Sequence, residues 1–366
     1  MKTNYFRIFL LFFAICGIAH GNGIDPNSFK GRYTKEKKIK KEFTVNADAG
    51  LRINNRYGNL EITSWNENRT IIEVTVKTNG NDEEKVMKKL EDIDVVFDAS
   101  GGLVSARTVI EDSNSSWWKG WLSGDNNINM EINYTVKVPV TNSVDLDNDY
   151  GAIVLNRIDG NAKINCDYGK LEIGELNAKN NSLNFDYTNN STIGYMKSGR
   201  INADYSGFVV ESADYVELNA DYSKSVFENV KDINYNCDYG SLNVEKAGKV
   251  LGKGDYLTLK MGDIMGDVNL NSNYGSIKID RLTPEAGNVT IQSDYTGIKL
   301  GYASGYNFMF DIRLEYGGFS GEDNLEITKQ RTESSKKYYA GHHGSPSAKN
   351  MVNINTEYGS VNFYEN

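Results

Sequence analysis

One short motif recurs along this chain at a nearly constant spacing, and that spacing limits the folds open to it. The motif is centred on a tyrosine, and from residue 150 to residue 316 successive copies lie 18, 19, 18, 17, 17, 17, 18, 21 and 21 residues apart. The last step, to residue 358, is 42 residues, or two steps of 21. A period this short and regular is typical of a solenoid, in which one turn of the chain stacks on the next. The twelve tyrosines are Tyr57, Tyr150, Tyr168, Tyr187, Tyr205, Tyr222, Tyr239, Tyr256, Tyr274, Tyr295, Tyr316 and Tyr358.

Each copy has the pattern of two short strands that meet beside the tyrosine. Around Tyr168, apolar residues alternate at Ile164 and Cys166 before it and at Leu171 and Ile173 after it, so each half buries one face. The alternation changes phase just after the tyrosine, which predicts a corner or a bulge. The next residue is glycine in seven copies, serine or threonine in four and leucine in one. Because glycine permits a positive φ and close backbone approach, we place the special conformation of the corner at this residue, although not in every copy.

A third apolar position follows about eight residues after the tyrosine, which gives three inward-facing stretches in each turn. A turn of about eighteen residues with three such stretches has no room for helices. The pattern predicts an all-β fold, a right-handed parallel β-helix of about 12 short coils. Cys166 and Cys237 would lie four coils apart, so we expect two buried thiols that cannot pair with each other.

Stacked coils about 4.8 Å apart would bring equivalent residues into columns along the axis. We expect the tyrosine rings to stack into a ladder that serves mainly as a folding device, worth ~0.5–1.5 kcal/mol per ring pair. Asparagines three residues before the tyrosine, such as Asn165 and Asn184, can hydrogen-bond along a column of their own. The residue just before the tyrosine is aspartate in seven consecutive copies, from Asp149 to Asp255.

This acidic column needs a compensating interaction, because carboxylates about 4.8 Å apart in water repel by roughly 0.9 kcal/mol per pair. An Asx-type turn, in which each carboxylate accepts a backbone N–H at its own corner, would supply about 1 kcal/mol. The alternative is a row of bound calcium ions, which prefer hard oxygen ligands. We expect the turn, and apart from the calcium alternative we expect no cofactor and no metal site.

The two ends of the chain depart from the repeat. Residues 1–21 predict a secretory signal peptide, with basic residues, an apolar run and small residues at the end. Lipid attachment at Cys16 is disfavoured because Ile15, not a small residue, precedes it. Residues 22–45 are predicted to be a lead-in whose lysine run is solvated, and residues 46–140 an N-terminal cap that holds the first coil and one helix over Asp82–Ile93. Residues 141–366 then form the β-solenoid, with a C-terminal insertion at 329–349 that we expect to be a loop or cap.

One loop of the cap is a candidate partner-binding patch. Trp117, Trp118 and Trp121 are three of the four tryptophans of the chain, and they lie among serine, asparagine and glycine. The alternative is that the three rings fold back onto the cap. The only histidines after the predicted signal peptide, His342 and His343, are adjacent and have no neighbouring metal-ligand pattern.

Three features together resemble the putative adhesin family of unknown function that is sometimes called Toastrack. They are the segment YGNLEITSW from Tyr57 to Trp65, the strand that ends at Val138 and Pro139, and the repeated Asp-Tyr-Gly coils. The resemblance covers the chain from about residue 40 onward, and the regular Asp-Tyr-Gly coils resemble the Bacteroides-type exported β-solenoid proteins. It implies a role in surface attachment or envelope sensing, and it carries over no catalytic residue.

Three functions remain open at this level. The first is a non-enzymatic, adhesin-like envelope or cell-surface protein, exported to the periplasm, the outer-membrane surface or the medium, which binds an envelope protein or a glycan. The net charge of −9 argues against nucleic acid as the partner. The second is a polysaccharide lyase or hydrolase, which the identical repeated acids disfavour, since such enzymes use carboxylates in distinct environments. The third is a structural element that self-associates end to end through an open strand edge at Val361–Phe363.

Overall fold

The computed structural model describes residues 29–111 and 128–366. The predicted signal peptide, Cys16 and the tryptophan loop with Trp117, Trp118 and Trp121 therefore lie outside the described residues. The described residues form 27 strands and one α-helix, so the fold is all-β. The N-terminal elements are β1 (Tyr33–Thr44), β2 (Gly50–Arg56), β3 (Leu60–Trp65), β4 (Arg69–Gly80), α1 (Glu83–Glu91), β5 (Ile93–Ala99), β6 (Leu103–Ile110) and β7 (Asn129–Pro139).

The repeats form a stack of coils in which each tyrosine separates two strands. The strands of the stack are β8 (Ser143–Asp149), β9 (Ala152–Ile158), β10 (Ala162–Asp167), β11 (Lys170–Leu176), β12 (Asn181–Asp186), β13 (Ser191–Asp204), β14 (Gly207–Asn219), β15 (Lys224–Asn236), β16 (Gly240–Asp255), β17 (Leu257–Ile264), β18 (Val268–Asn273), β19 (Ser276–Leu282), β20 (Val289–Asp294), β21 (Gly297–Tyr302), β22 (Phe308–Glu315), β23 (Phe319–Ser320), β24 (Glu326–Glu333), β25 (Lys336–His343), β26 (Asn350–Glu357) and β27 (Val361–Glu365). Strands before the tyrosine pair in parallel with their counterparts in the next coil, and strands after it do the same. The long strands β13 to β16 each run from one tyrosine corner to the next.

The core lies along the axis of this stack and follows the alternation in the sequence. Ile164 and Cys166 before the corner and Leu171 and Ile173 after it are 0–3% exposed, and Leu176 at the third apolar position is fully buried. Burying these side chains in every coil, at about 25 cal/mol per Å² of apolar surface, is the main source of stability for such a stack.

The positive φ of the corner belongs to the tyrosine, so its predicted place at the following glycine is wrong, whereas the close backbone approach expected of that glycine is confirmed. All twelve tyrosines of the motif have a positive φ, between 52° and 62°. The glycine is required for close approach instead: a Cβ on Gly169 would lie 2.0 Å from the carbonyl oxygen of Gly151 in the preceding coil. Where serine replaces glycine, the hydroxyl is used, as when Ser223 donates to the carbonyl oxygens of Ala203 and Asp221.

The N-terminal end is closed by strands of both orientations. β6 and β7 pair in parallel with β2 and β3 of the first coil, whereas β4 runs antiparallel to β7 and β5 antiparallel to β6. The helix predicted over Asp82–Ile93 is α1, capped by Asp82 and anchored by the buried Val86 and Leu90. The sheet is therefore mixed at this end rather than wholly parallel, and the right-handed sense of the winding stays a prediction.

The lysine-rich segment that we assigned to a solvated lead-in is in fact a strand. β1 pairs over its whole length with β4 in antiparallel register. Its inward side chains, including Ile39 and Phe43, are half-buried against the cap. A strand that carries lysine on both faces satisfies its backbone hydrogen bonds on one edge while its charges discourage pairing on the other.

The C-terminal end does not follow sequence order, which corrects the predicted open edge at Val361–Phe363. β26 pairs with β20 on one side and with β22 on the other, and β27 lies between β21 and β23. Val361 and Phe363 are consequently buried, at 0% and 1% exposure. The reason is that β25 covers the outer edge of β22 in antiparallel register, so the returning chain inserts on the inner side.

The insertion predicted at 329–349 is a hairpin rather than a loop, and it begins earlier. β24 and β25 pair in antiparallel register, and β25 closes the stack. The outermost strand, β24, is exposed along most of its length and carries Glu326, Lys329, Arg331 and Glu333. Alternating charges on an edge strand oppose the addition of another chain. End-to-end self-association stays a prediction, and at this end its edge would be the charged strand β24 and not Val361–Phe363.

Candidate functional site

The tyrosines form one continuous ladder of stacked rings along the outside of the coils. Neighbouring ring centroids lie 4.6–5.3 Å apart and neighbouring ring planes differ by 1–10°. Tyr358 stacks between Tyr295 and Tyr316, as the strand order requires. The side chains remain 36–59% exposed. Because the faces of the rings cover one another, the ladder presents ring edges and hydroxyl groups to solvent.

The hydroxyl groups of the ladder have no partner among the described residues. Hydrogen bonds through a tyrosine hydroxyl are made there by other tyrosines, namely Tyr134, Tyr195, Tyr306, Tyr338 and Tyr364. Desolvation within the stack, followed by the charges of neighbouring tyrosines and acids, raises the pKa of Tyr168, Tyr205, Tyr239 and Tyr358. These hydroxyls therefore stay neutral at physiological pH and can both donate and accept a hydrogen bond.

The acidic column beside the ladder is held by bonds between coils, which corrects the predicted Asx-type turn within one coil. The backbone N–H of Asp204 donates to Oδ1 of Asp186 at 3.0 Å, and the N–H of Asp221 donates to Oδ1 of Asp204 at 3.1 Å. Asp167, Asp221 and Asp238 each accept the backbone N–H of the aspartate in the next coil in the same way, and Asn273 accepts the N–H of Asp294. One oxygen of each such carboxylate is thus used by the fold.

Burial, together with the charges of the acidic column, raises the pKa of one of its members and of one neighbouring aspartate. Desolvation, followed by the negative charges of Asp204 and Asp167, raises the pKa of Asp186. At the start of the stack, desolvation and then the charge of Asp149 raise the pKa of Asp147. In the described ranges no group of three or more His, Cys, Asp or Glu side chains is placed to hold a metal ion.

The asparagine column forms a hydrogen-bonded ladder over four coils. Asn184 donates to Asn165 at 2.9 Å, Asn202 to Asn184 at 2.6 Å and Asn219 to Asn202 at 2.9 Å. Two coils further on, Lys253 occupies the same position. We call the surface formed by the asparagine column, the acidic column and the tyrosine ladder the ladder face.

A cleft on the ladder face was missed by the sequence reasoning. It has a volume of about 460 Å³ and opens around Leu251, between side chains of the flanking coils. The signal was present: Leu251 occupies an outward position, five residues before the tyrosine, that is polar in every other coil. A second cleft, of about 400 Å³, lies on strands that follow the tyrosine, around Val154 and Asn156 of β9.

The other sequence-predicted residues have structural roles where they are described. His342 donates from Nδ1 to the carbonyl oxygen of Gly344 at 3.1 Å, and His343 packs against Tyr302 and Phe308 with Nδ1 2.7 Å from the carbonyl oxygen of Tyr306. Cys166 and Cys237 are buried and unpaired, and desolvation raises the pKa of each thiol to about 12. Nothing in the described part of the chain is a helix both long enough and apolar enough to cross a membrane.

Comparisons with known proteins find solved structures of low similarity to this chain. No family model matches this chain, and no curated protein matches it. Similar solved structures include a putative cell adhesion protein from Clostridium sporogenes (12% identity, 91% of this chain and 100% of that one, TM-score 0.18). They also include a putative adhesin (10% identity, 90% and 97%, TM-score 0.32) and a putative lipid binding protein (8% identity, 89% and 96%, TM-score 0.30), both from Parabacteroides distasonis. At these identities and TM-scores, no functional conclusion rests on the likeness.

Proposed function

We propose that this protein is an exported, adhesin-like binding protein without catalytic activity, and that it holds an extended, hydroxyl-rich polymer along the ladder face. A single observation carries the proposal: twelve tyrosine hydroxyls without a partner among the described residues stand in one row. Eleven steps at the spacing of neighbouring strands make this row roughly 50 Å long. A row of that length suits a polymer better than a small molecule.

The energetics of the corner favour an outward role for the hydroxyl. A non-glycine residue in the left-handed conformation costs about 1–2 kcal/mol, and ring stacking returns ~0.5–1.5 kcal/mol per pair. Phenylalanine would return the same stacking energy. The hydroxyl is therefore the part of each tyrosine that the fold itself does not use.

The chemistry of the face selects the class of polymer. The ring faces are covered by their neighbours, so the face offers hydrogen bonds rather than an apolar platform. Hydroxyls, amides and carboxylates in adjacent columns suit the alternating donors and acceptors of a glycan. The carboxylates of the acidic column between Asp167 and Asp294 repel acidic polymers. A neutral or amine-bearing glycan is the best match.

A binding role also accounts for the acids better than catalysis does. The aspartates of the column from Asp167 to Asp238 share one arrangement, because each accepts the backbone N–H of the next coil. General acid–base chemistry on a glycan requires two carboxylates whose environments separate their pKa values. Export is supported by the apolar run of residues 1–21 and remains part of the proposal.

The test compares retention on polysaccharides of the wild-type chain and of a triple variant, Tyr205→Phe, Tyr222→Phe and Tyr239→Phe. Losing three hydrogen bonds of about 1 kcal/mol each weakens binding to cellulose or chitin roughly a hundredfold. The matched control is Tyr215→Phe, which removes a hydroxyl from an exposed tyrosine outside the ladder. Equal retention of the triple variant and the control would remove the ladder from the binding surface, and no retention of the wild-type chain would remove the proposal.

A further inference from the structure

The cleft around Leu251 has a regular plan that follows from the strand register. Leu251 pairs with Asn234 in the preceding coil and with Asn269 in the next one. One position closer to the ladder, Lys253 pairs with Asn236 and with Asn271 in the same way. An exposed apolar side chain is thus flanked on both sides along the axis by amide side chains.

Four side-chain amides of this cleft have no hydrogen-bond partner among the described residues, whereas the asparagines of the preceding coils bond to one another. Asn219 still donates to Asn202, which ends the hydrogen-bonded asparagine ladder. Beyond it, Lys253 interrupts the column, so Asn236 and Asn271 are two coils apart and cannot bond to each other. Four amides, each with two N–H donors and one carbonyl acceptor, therefore face solvent around one leucine. They are Asn234, Asn236, Asn269 and Asn271.

The floor of the cleft is a buried aromatic ring. Beneath it lies the ring of Tyr235, which is 2% exposed. Gly252 makes room for that ring, since a Cβ at this position would lie 2.0 Å from the Cε1 atom of Tyr235. A well-packed floor holds the strand that carries Leu251 and Lys253 in place.

The charged residues around the cleft determine whether its ligand is an anion or a neutral molecule. Glu217 at one end of the cleft is already neutralised by a bidentate pair with Arg200, at 3.0 and 2.9 Å. Asp238 and Asp255 of the acidic column stand beside Asn236 and Lys253, and Oδ1 of Asp238 accepts the backbone N–H of Asp255. One lysine against these carboxylates leaves no net attraction for an anion. Hydrogen-bonding amides around an apolar side chain suit a neutral sugar ring, which has hydroxyls at its rim and C–H groups on its face.

We infer that the cleft around Leu251 is a saccharide subsite, which takes one or two neutral sugar residues of the polymer held by the ladder face. The inference rests on the proposed function and narrows it. Asn234 and Asn269 bind hydroxyls on the two sides of the ring, Leu251 packs against its C–H face, and a volume of about 460 Å³ fits a mono- or disaccharide. The chain continues from the cleft along the tyrosine ladder.

The test is calorimetric titration of the full chain with cellohexaose, chitohexaose and a hexamer of galacturonate. The variants are the double substitution Asn234→Ala and Asn269→Ala, and Leu251→Asp, which places a charge in the cleft. The matched control is Asn229→Ala, which removes an exposed amide from the part of β15 that follows Tyr222, outside the ladder face. We expect one of the neutral hexamers to bind the wild-type chain and the control equally, and both cleft variants to bind it at least about tenfold more weakly. Thermal melts that coincide with the control show that the variants are folded.

The remaining outcomes separate the two proposals. Full-strength binding of a neutral hexamer by both cleft variants overturns the subsite and leaves the proposed function standing. Binding of the galacturonate hexamer alone overturns the assignment to neutral sugars. Binding of none of the three hexamers, together with no retention on polysaccharide, overturns both proposals.

Discussion

Tyr222 is the ladder position where the cost and the return of the tyrosine corner can be measured separately. Its φ is 53°, and its ring lies 4.9 Å from the rings of both Tyr205 and Tyr239, within 3° of parallel. Tyr222→Ala removes two ring pairs, worth together about 1–3 kcal/mol, and leaves alanine in the left-handed conformation. Tyr222→Gly removes the same two pairs but relieves a strain of about 1–2 kcal/mol.

The two substitutions should therefore rank in an unusual order. Glycine also loses more conformational entropy on folding, which costs about 0.5–1 kcal/mol relative to alanine. The balance makes Tyr222→Gly less destabilising than Tyr222→Ala by about 0.5–1 kcal/mol. At Tyr215, which is exposed but lies within β14 and is not among the residues with positive φ, the order should reverse, with glycine about 0.5–1 kcal/mol worse.

The assay is urea denaturation of the four variants and the wild-type chain, followed by far-ultraviolet circular dichroism. Comparing alanine with glycine at each position cancels the loss of the side chain, so only the backbone term remains. Opposite signs at the two positions are the expected result. If glycine is the worse substitution at both, the left-handed corner at the tyrosine is refuted.

Three further outcomes follow from the contacts between coils. Asp186→Asn removes a charge but keeps an acceptor for the next coil, as Asn273 does naturally. Because the pKa of Asp186 is raised, the folded state binds more protons, and wild-type stability falls as the pH rises from the unfolded pKa through the folded one. In urea titrations the variant should lose that slope and be at least as stable as the wild type at pH 7. Gly169→Ala should lower the melting temperature by several degrees, while Gly297→Ala, where a Cβ would meet nothing within 4 Å, should leave it nearly unchanged; equal effects would contradict the close approach of the coils. Deleting residues 350–366 removes a coil from inside the stack, so the cooperative melt should be lost; a truncated chain that melts like the full one would contradict the strand order.

The coil architecture could be predicted because it depends on local alternation. The phase change around Tyr168 located the corner, and the equal spacing of Asn165 and Asn184 located a hydrogen-bonded column. The same pattern could not show which residue of the corner takes the positive φ. A steric argument favours glycine for the positive φ, although the tyrosine takes that conformation. The glycine is needed for the close approach of neighbouring coils, as at Gly169.

Features that depend on pairing between distant segments were beyond the sequence. A step of 42 residues fits two coils in succession as well as it fits the insertion of Tyr358 between Tyr295 and Tyr316. The lysines of β1 are compatible with a solvated segment until β4 is placed beside them. The cleft requires three coils in register, although the lone apolar residue in its column, Leu251, was visible beforehand.

Hydroxyl-radical footprinting of the ladder tyrosines tests the central claim most directly, because it measures the solvent access of the side chains that are proposed to bind. The wild-type chain is exposed to radicals with and without the neutral polysaccharide that retains it, and the oxidation of each tyrosine is read by mass spectrometry. The account predicts that Tyr187, Tyr205, Tyr222 and Tyr239 are protected together, while Tyr215, which is 41% exposed outside the ladder, is oxidised at an unchanged rate. Unchanged oxidation of the ladder in the bound state, or protection of Tyr215 instead, would contradict it.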